Sequence, residues 1–178
     1  MTEKELIKGC IREDRYYQQE LFKLYAGKML VVCLRYARHE MEAEDILQDS
    51  FIKIFDNISK FEFKGSFEGW IRRIVINTAL KHYSKKSFKQ EQIGVDAHPD
   101  FPLEPDAYAH LNEEELLNLI AKLPDGYKVV FNLYAIEGYS HKEISDMLGI
   151  QESTSRSQLV KARKMLQAMI FDLQKIAV

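Results

Sequence analysis

Residues 138–166 read GYSHKEISDMLGIQESTSRSQLVKARKML, and the order of residue types in this stretch sets the architecture around it. Ser140 followed three residues later by Glu143 is a capping box, in which each side chain satisfies a backbone N–H of the other residue. Ile144, Met147 and Leu148 supply the apolar stripe of a short helix, and Gly149 stands where a helix closes on a left-handed residue. After a turn at Ile150 a second helix is expected from about Glu152 to Gln167. Ser155, Leu159, Ala162 and Leu166 share one of its faces, while Ser153, Arg156, Ser157, Lys161 and Lys164 point largely elsewhere. Gln151 is a poorer N-cap than Ser or Thr, which leaves the first residue of that helix open. A capped helix, a glycine turn and a second helix with a polar, basic outer face describe a helix-turn-helix. Its second helix would enter a major groove, early residues at base edges and later lysines at phosphates. An ordinary helical hairpin with a solvated charged face shares part of this pattern.

Helical periodicity extends in both directions from the motif. Upstream, EEELLNLIAKL begins near Asn112 and stops before Pro124, and a further helix spans Asp125–Glu137. In the amino-terminal half, Tyr17, Leu21, Leu24, Tyr25, Met29 and Val32 recur every three or four residues. Leu47, Phe51, Ile54 and Ile58 mark a helix over 42–58. A third helix runs from about Phe67 to Tyr83, with an expected inner stripe of Trp70, Ile74, Asn77 or Thr78, and Leu80 or Lys81. The stretch FEFKGSFEG between these last two, with Gly65 and Gly69, reads as a loop. From about Ser87 to Pro105 the period collapses among Gly94, Pro99, Pro102 and Pro105, which reads as a linker. No strand pattern appears. The expected fold is all-α: two small helical domains, 1–88 and 111–178, joined by a flexible acidic linker over 89–110.

Charge follows the same divisions. The 178 residues carry a net charge of −2, but residues 64–89 hold seven basic side chains against Glu68 alone, and residues 90–118 hold eight acids with no Lys or Arg. Such segregation suggests a basic working surface followed by an acidic connector. No apolar run approaches the roughly 18 residues that cross a bilayer, and the start has no apolar stretch typical of a signal peptide. Cys10 and Cys33 lack metal-type spacing, so reduced thiols in a cytoplasmic protein are the expectation. There is no Gly-rich phosphate loop, no nucleophile elbow and no metal-ligand spacing, and the five histidines are scattered as surface or linker residues. An enzyme is disfavoured, and no cofactor, metal or small-molecule substrate is expected.

Phe61, Phe63, Phe67 and Trp70 are interleaved with Lys60, Lys64, Arg72 and Arg73, ahead of Lys81, Lys85, Lys86 and Lys89. Aromatic faces stack on unpaired bases while cations follow the backbone, the chemistry of a single-strand groove. The same aromatics could equally plug a core beneath the loop.

Three segments in order resemble the extracytoplasmic-function group of bacterial RNA polymerase sigma factors. They are AEDILQDSFIKIF (43–55), FKGSFEGWIRRIVINTAL (63–80), and LPDGYKVVFNLYAIEGYSHKEISDMLGI (123–150) followed by SRSQLVKARKML (155–166). The resemblance implies a dissociable transcription initiation factor that gives core polymerase its promoter specificity. It implies that Asp45, Gln48, Asp49 and Lys53 meet the β′ clamp helices of core RNA polymerase. It implies that Lys64, Ser66 and Phe67 form the loop that takes a flipped −10 base, with Arg72, Arg73, Asn77 and Lys81 on the helix facing promoter DNA. For the −35 element it points to Ser153, Thr154, Arg156, Ser157, Gln158, Lys161 and Lys164, with the remaining helices of that domain at the β flap. It also implies an anti-sigma factor as partner. The competing reading is an autonomous helix-turn-helix regulator, which would footprint a palindrome without polymerase.

Overall fold

The computed structural model describes residues 1–84 and 112–176. The linker expected over 89–110, both of its boundaries, and Lys85, Lys86 and Lys89 lie outside them. The chain divides into two compact units, Met1–Lys85 and Lys86–Val178, and every regular element among the described residues is helical.

The first unit holds α1 (Glu3–Ile11), α2 (Arg15–Tyr36), α3 (Glu40–Asn57) and α4 (Phe67–Ser84). Helix α1 has no counterpart in the periodicity reading, because nine residues give barely two turns of pattern. A local signal was present: Thr2 and Glu5 form a capping box, with the Thr2 N–H donating to Glu5 Oε2 at 2.7 Å. Its apolar side, Leu6, Ile7 and Cys10, closes over α2, and Tyr25 Oη donates to Glu3 Oε2 at 3.2 Å.

Helix α2 packs against α1, α3 and α4, so it buries a broad face containing Leu21, Tyr25, Met29, Val32, Cys33 and Tyr36. Leu24, expected in that stripe, is instead 56% exposed. The buried residues advance by four or three from Leu21, and Leu24 falls off that line. On α3 the expected Leu47, Phe51, Ile54 and Ile58 are all buried. Its start is capped by His39, whose Nδ1 accepts the Glu42 N–H at 3.2 Å.

Helix α4 has the expected span, and of its expected inner stripe the Thr78 and Leu80 alternatives are buried while the rest of the stripe differs. Phe67, Ile71, Val75, Thr78 and Ala79 are buried, whereas Trp70 and Ile74 are half-buried and Asn77 and Lys81 are exposed. The helix is wedged against both α2 and α3, so its buried arc centres one residue later than the Trp70 register. Gly69, expected in the loop, lies inside the first turn of α4.

Gly9 is fixed by a close approach. A Cβ built there would overlap the ring of Tyr17, while one at Gly27 meets nothing within 4 Å. Gly9→Ala is therefore expected to destabilise the unit by about 1–3 kcal/mol through overpacking, seen as an earlier calorimetric transition. Gly27→Ala should match or slightly exceed the wild type. An unshifted Gly9→Ala transition would mean the Tyr17 contact is loose.

The second unit contains α5 (Glu113–Ala121), α6 (Asp125–Phe131), α7 (His141–Leu148) and α8 (Glu152–Ile176). Helix α6 does not run regularly to Glu137 as expected. It widens into a π turn over Asn132–Ile136, where the Glu137 N–H reaches back five residues to the Asn132 carbonyl at 3.0 Å. The Ser140–Glu143 capping box is present, with the Ser140 N–H at 2.8 Å from Glu143 Oε2. Gly149 has φ of 66° at the α7 terminus, as its position suggested. Helix α8 begins at Glu152 and outruns the expected end at Gln167. Its added turns carry Ile170, which joins Leu119, Ile120, Leu123, Ala162 and Leu166 in one core. This contact with α5 and α6 explains its length, since packing rather than propensity sustains a helix.

Candidate nucleic-acid interface

The loop between α3 and α4 is held by an aromatic cluster. Phe61 and Phe67 are buried with ring centroids 5.0 Å apart, and Trp70 stacks on Phe67 at 5.7 Å with 13° between planes. Tyr25 of α2 meets the other edge of Phe67 at 5.8 Å. Phe67 is only 1% exposed, so it cannot offer a face to a base without leaving the core. That places it as the anchor of the loop. The most exposed ring of the cluster is Phe63, 47% exposed and held at φ of 55°, two residues before Gly65 at φ of 87°. A left-handed conformation at a bulky residue is strained and concentrates at functional positions. Neither Phe63's strain nor its exposure is readable from composition.

Ser66 accepts the Gly69 N–H on Oγ at 3.2 Å, capping α4. Lys64 is exposed and pairs with Glu62 at 2.7 Å. Along α4, Arg73, Asn77 and Lys81 are exposed at a spacing of four, with Arg72 half-buried beside them. One helix face therefore carries two cations and an amide, a surface suited to phosphates and unpaired bases.

The four residues assigned to polymerase divide by direction. Asp45 and Gln48 are exposed, on the line of Met41 and Ile52, themselves 73% and 60% exposed. Asp49, also exposed, and the half-buried Lys53 reach toward α4 as well. Asp49 Oδ2 lies 2.8 Å from His82 Nε2, and Lys53 Nζ donates to Thr78 Oγ1 at 3.1 Å. These bonds tie α3 to α4. His39 is exposed, as expected of a surface histidine, and also caps α3; His82 is half-buried and bonds Asp49. His98 and His110 lie outside the described residues.

In the second unit Ser153, Arg156 and Ser157 are exposed and Lys161 and Lys164 half-buried, forming one stripe at i, i+3, i+4, i+8 and i+11 of α8. Thr154 and Gln158 flank it, half-buried. Arg156 pairs with Glu152 at 2.9 Å, and the Ser157 hydroxyl donates to the Thr154 carbonyl at 3.0 Å. The opposite side, Ser155, Leu159, Ala162 and Leu166, is buried as expected.

Residues 21–89 match the family description Sigma-70 region 2, and residues 113–166 match Sigma-70, region 4. Over 185 residues the chain is 29% identical to the ECF RNA polymerase sigma factor SigW of Bacillus subtilis, covering 97% of this chain and 99% of that protein. The chain is an extracytoplasmic-function sigma factor. It is also 25% identical to the RNA polymerase sigma-H factor of Pseudomonas aeruginosa, over 98% of this chain and 97% of that one. The fold is shared with the sigma factor RpoE from Bartonella quintana, solved with the anti-sigma factor NepR. The TM-score is 0.52 at 17% identity, covering 85% of this chain and 95% of that one. CnrH, solved with the cytosolic domain of CnrY, gives 0.50 at 18% identity over 94% and 96%.

The function of this sigma factor is promoter-directed transcription initiation. Among the described residues no helix is long and apolar enough to cross a membrane. Its two cysteines are free and buried. Burial pushes the Cys10 thiol up to about 11, helped by Asp14, and the Cys33 thiol up to about 12. Neither presents a reactive thiolate.

Proposed function

We propose that this sigma factor docks on the β′ clamp helices of core RNA polymerase through α3. On this reading the loop and α4 open and read the −10 element, and α8 reads the −35 element. The observation that carries the reading is the pairing of two polar, basic stripes, the exposed Arg73–Asn77–Lys81 on α4 and the exposed to half-buried Ser153–Arg156–Ser157–Lys161–Lys164 on α8. They lie in segments matching regions 2 and 4 respectively.

Exposure and residue type support a role for each residue. Extruding a base costs a few kcal/mol, which one stacked ring and flanking phosphate contacts offset. Phe63 is the exposed ring placed to stack, Lys64 the adjacent cation, and Ser66 and Phe67 the supports that hold the loop. The early residues of α8 meet base edges while Lys161 and Lys164 meet phosphates. The other helices of the second unit face the β flap. A chain with net charge −2 has little general attraction for duplex DNA, so polymerase supplies the hold. An anti-sigma factor would mask these surfaces when initiation is not required. RpoE of Bartonella quintana and CnrH, which share this fold, were each solved bound to a second protein.

Run-off transcription on genomic fragments, with core polymerase plus or minus the chain, tests the reading. Specific transcripts are expected only with the chain, and alignment of their starts should reveal two elements. Absence of such transcripts, with a palindromic footprint by the chain alone, would replace it with an autonomous regulator.

A further inference from the structure

Ser155 is buried in the first turn of α8, between Thr154 and Arg156, and its Oγ lies 2.8 Å from Nδ1 of His141, the first residue of α7. The His141 ring stacks on Tyr134, with centroids 4.5 Å apart and 19° between planes. Arg163 of α8 stands 5.8 Å from the centre of the same Tyr134 ring. Tyr134 belongs to the π turn at Asn132–Ile136, so the irregularity in α6 lies where this stack forms. Helix α8 is thus held at two points on one side, Ser155 and Arg163, roughly 12 Å apart along its axis.

We propose that His141 and Ser155 are positioning residues for −35 recognition. Their hydrogen bond sets the rotation of the first turn of α8, and with it the direction in which Ser153, Thr154, Arg156 and Ser157 meet base edges. The inference rests on the reading of α8 as the −35 helix.

A neutral imidazole makes the bond in either tautomer, Nδ1 accepting from the serine hydroxyl or donating to its oxygen. Protonation leaves Nδ1 a donor only, so the serine hydroxyl must turn to accept, and the imidazolium then faces Arg156 and Arg163 as a like charge. The charges around the ring resist protonation. From α8, Arg156 and Arg163 face it, and Glu152, the one acid there, is engaged with Arg156 at 2.9 Å. From α7, Lys142 adds a cation, and Glu143 is engaged with the Ser140 N–H at 2.8 Å. The π turn and the connector contribute Tyr134 and Tyr139. A cleft of about 580 Å³, lined by several of these residues, opens beside the ring. Burial, then Arg156, hold the His141 pKa below its usual value, with Arg163 adding and Glu152 opposing. The contribution of a group so depressed is complete above its unfolded pKa, about 6.5, and is lost as pH falls below it.

The test uses holoenzyme on a promoter recovered from the run-off screen and on the same promoter with its −35 element scrambled. The readout is the ratio of open complexes on the two templates at about pH 7.5 and about pH 5.5, which cancels effects on polymerase itself. Ser155→Ala is expected to lower the ratio at pH 7.5 by about three- to tenfold, the worth of one hydrogen bond, with the scrambled template unaffected. Wild type should lose part of its ratio at low pH. His141→Asn, whose side-chain amide keeps an acceptor near the Nδ1 position and cannot titrate, should hold a flat ratio. An unchanged ratio in Ser155→Ala, or identical pH profiles for wild type and His141→Asn, overturns the inference alone. A wild-type holoenzyme indifferent to scrambling at pH 7.5 overturns the −35 reading and the inference with it.

Discussion

Phe67→Ala is expected to destabilise the amino-terminal unit by about 3–5 kcal/mol, the usual cost of emptying a buried aromatic site, and to abolish promoter opening as a consequence. Phe67 is the first residue of α4, 1% exposed, with Tyr25, Phe61 and Trp70 all within 5.8 Å of its centroid. These partners come from α2, the loop and α4. Removing the ring therefore leaves a cavity at the point where three segments meet, and no single neighbour can fill it. A domain is stable by only about 5–15 kcal/mol in total, so the loss is a large fraction of what holds the unit together. Trp70 is the only tryptophan and stacks on Phe67, so its fluorescence reports unfolding in urea directly. Phe63→Ala is the counterpart: the exposed ring should cost no more than about 0.5 kcal/mol, while open-complex formation falls. A Phe67→Ala chain of wild-type stability that loses only −10 reading would reverse the assignment, making Phe67 the base-stacking ring.

Asp45→Ala combined with Gln48→Ala is expected to weaken association with core polymerase by about tenfold or more, since polar groups buried at an interface each cost on the order of 1–3 kcal/mol when truncated. Both side chains are exposed, on a line with the apolar Met41 and Ile52, which is the composition of a docking face. Once core is saturating, promoter opening by this variant should approach wild type. His82→Ala provides the contrast. It removes the partner of Asp49 without altering the exposed line, so core affinity should stay within about twofold while the hold of α3 on α4 is loosened. Fluorescence anisotropy of labelled chain titrated with core polymerase measures all of these. Wild-type affinity in the Asp45/Gln48 double variant would remove α3 from the docking surface.

Much of the second unit was legible because its signals are local. The Ser140–Glu143 box, the left-handed Gly149 and the buried face of Ser155, Leu159, Ala162 and Leu166 each depend on neighbours within a turn or two. The continuation of α8 past Gln167 was not legible in the same way, because Ile170 is sustained by α5 and α6 rather than by its own helix.

The first unit shows the same boundary. Leu47, Phe51, Ile54 and Ile58 announced one face of α3 through spacing alone. The inner stripe of α4 was legible only at Thr78 and Leu80, because a helix wedged between two others buries a wider arc than one period reveals. The family resemblance put Asp49 and Lys53 on a binding face, and the structure adds that they also bond His82 and Thr78 of α4.

By itself, then, the amino-acid sequence determined the helical class, the caps, the division into two units and membership of the sigma factors, since these are written in residue type and short-range spacing. Tertiary packing alone decided which loop aromatic is buried and which exposed, which α3 residues face outward, and that Ser155 meets His141 across 14 positions. Those outcomes depend on which surfaces compete for the same core. That competition is settled only when helices distant in the chain come together.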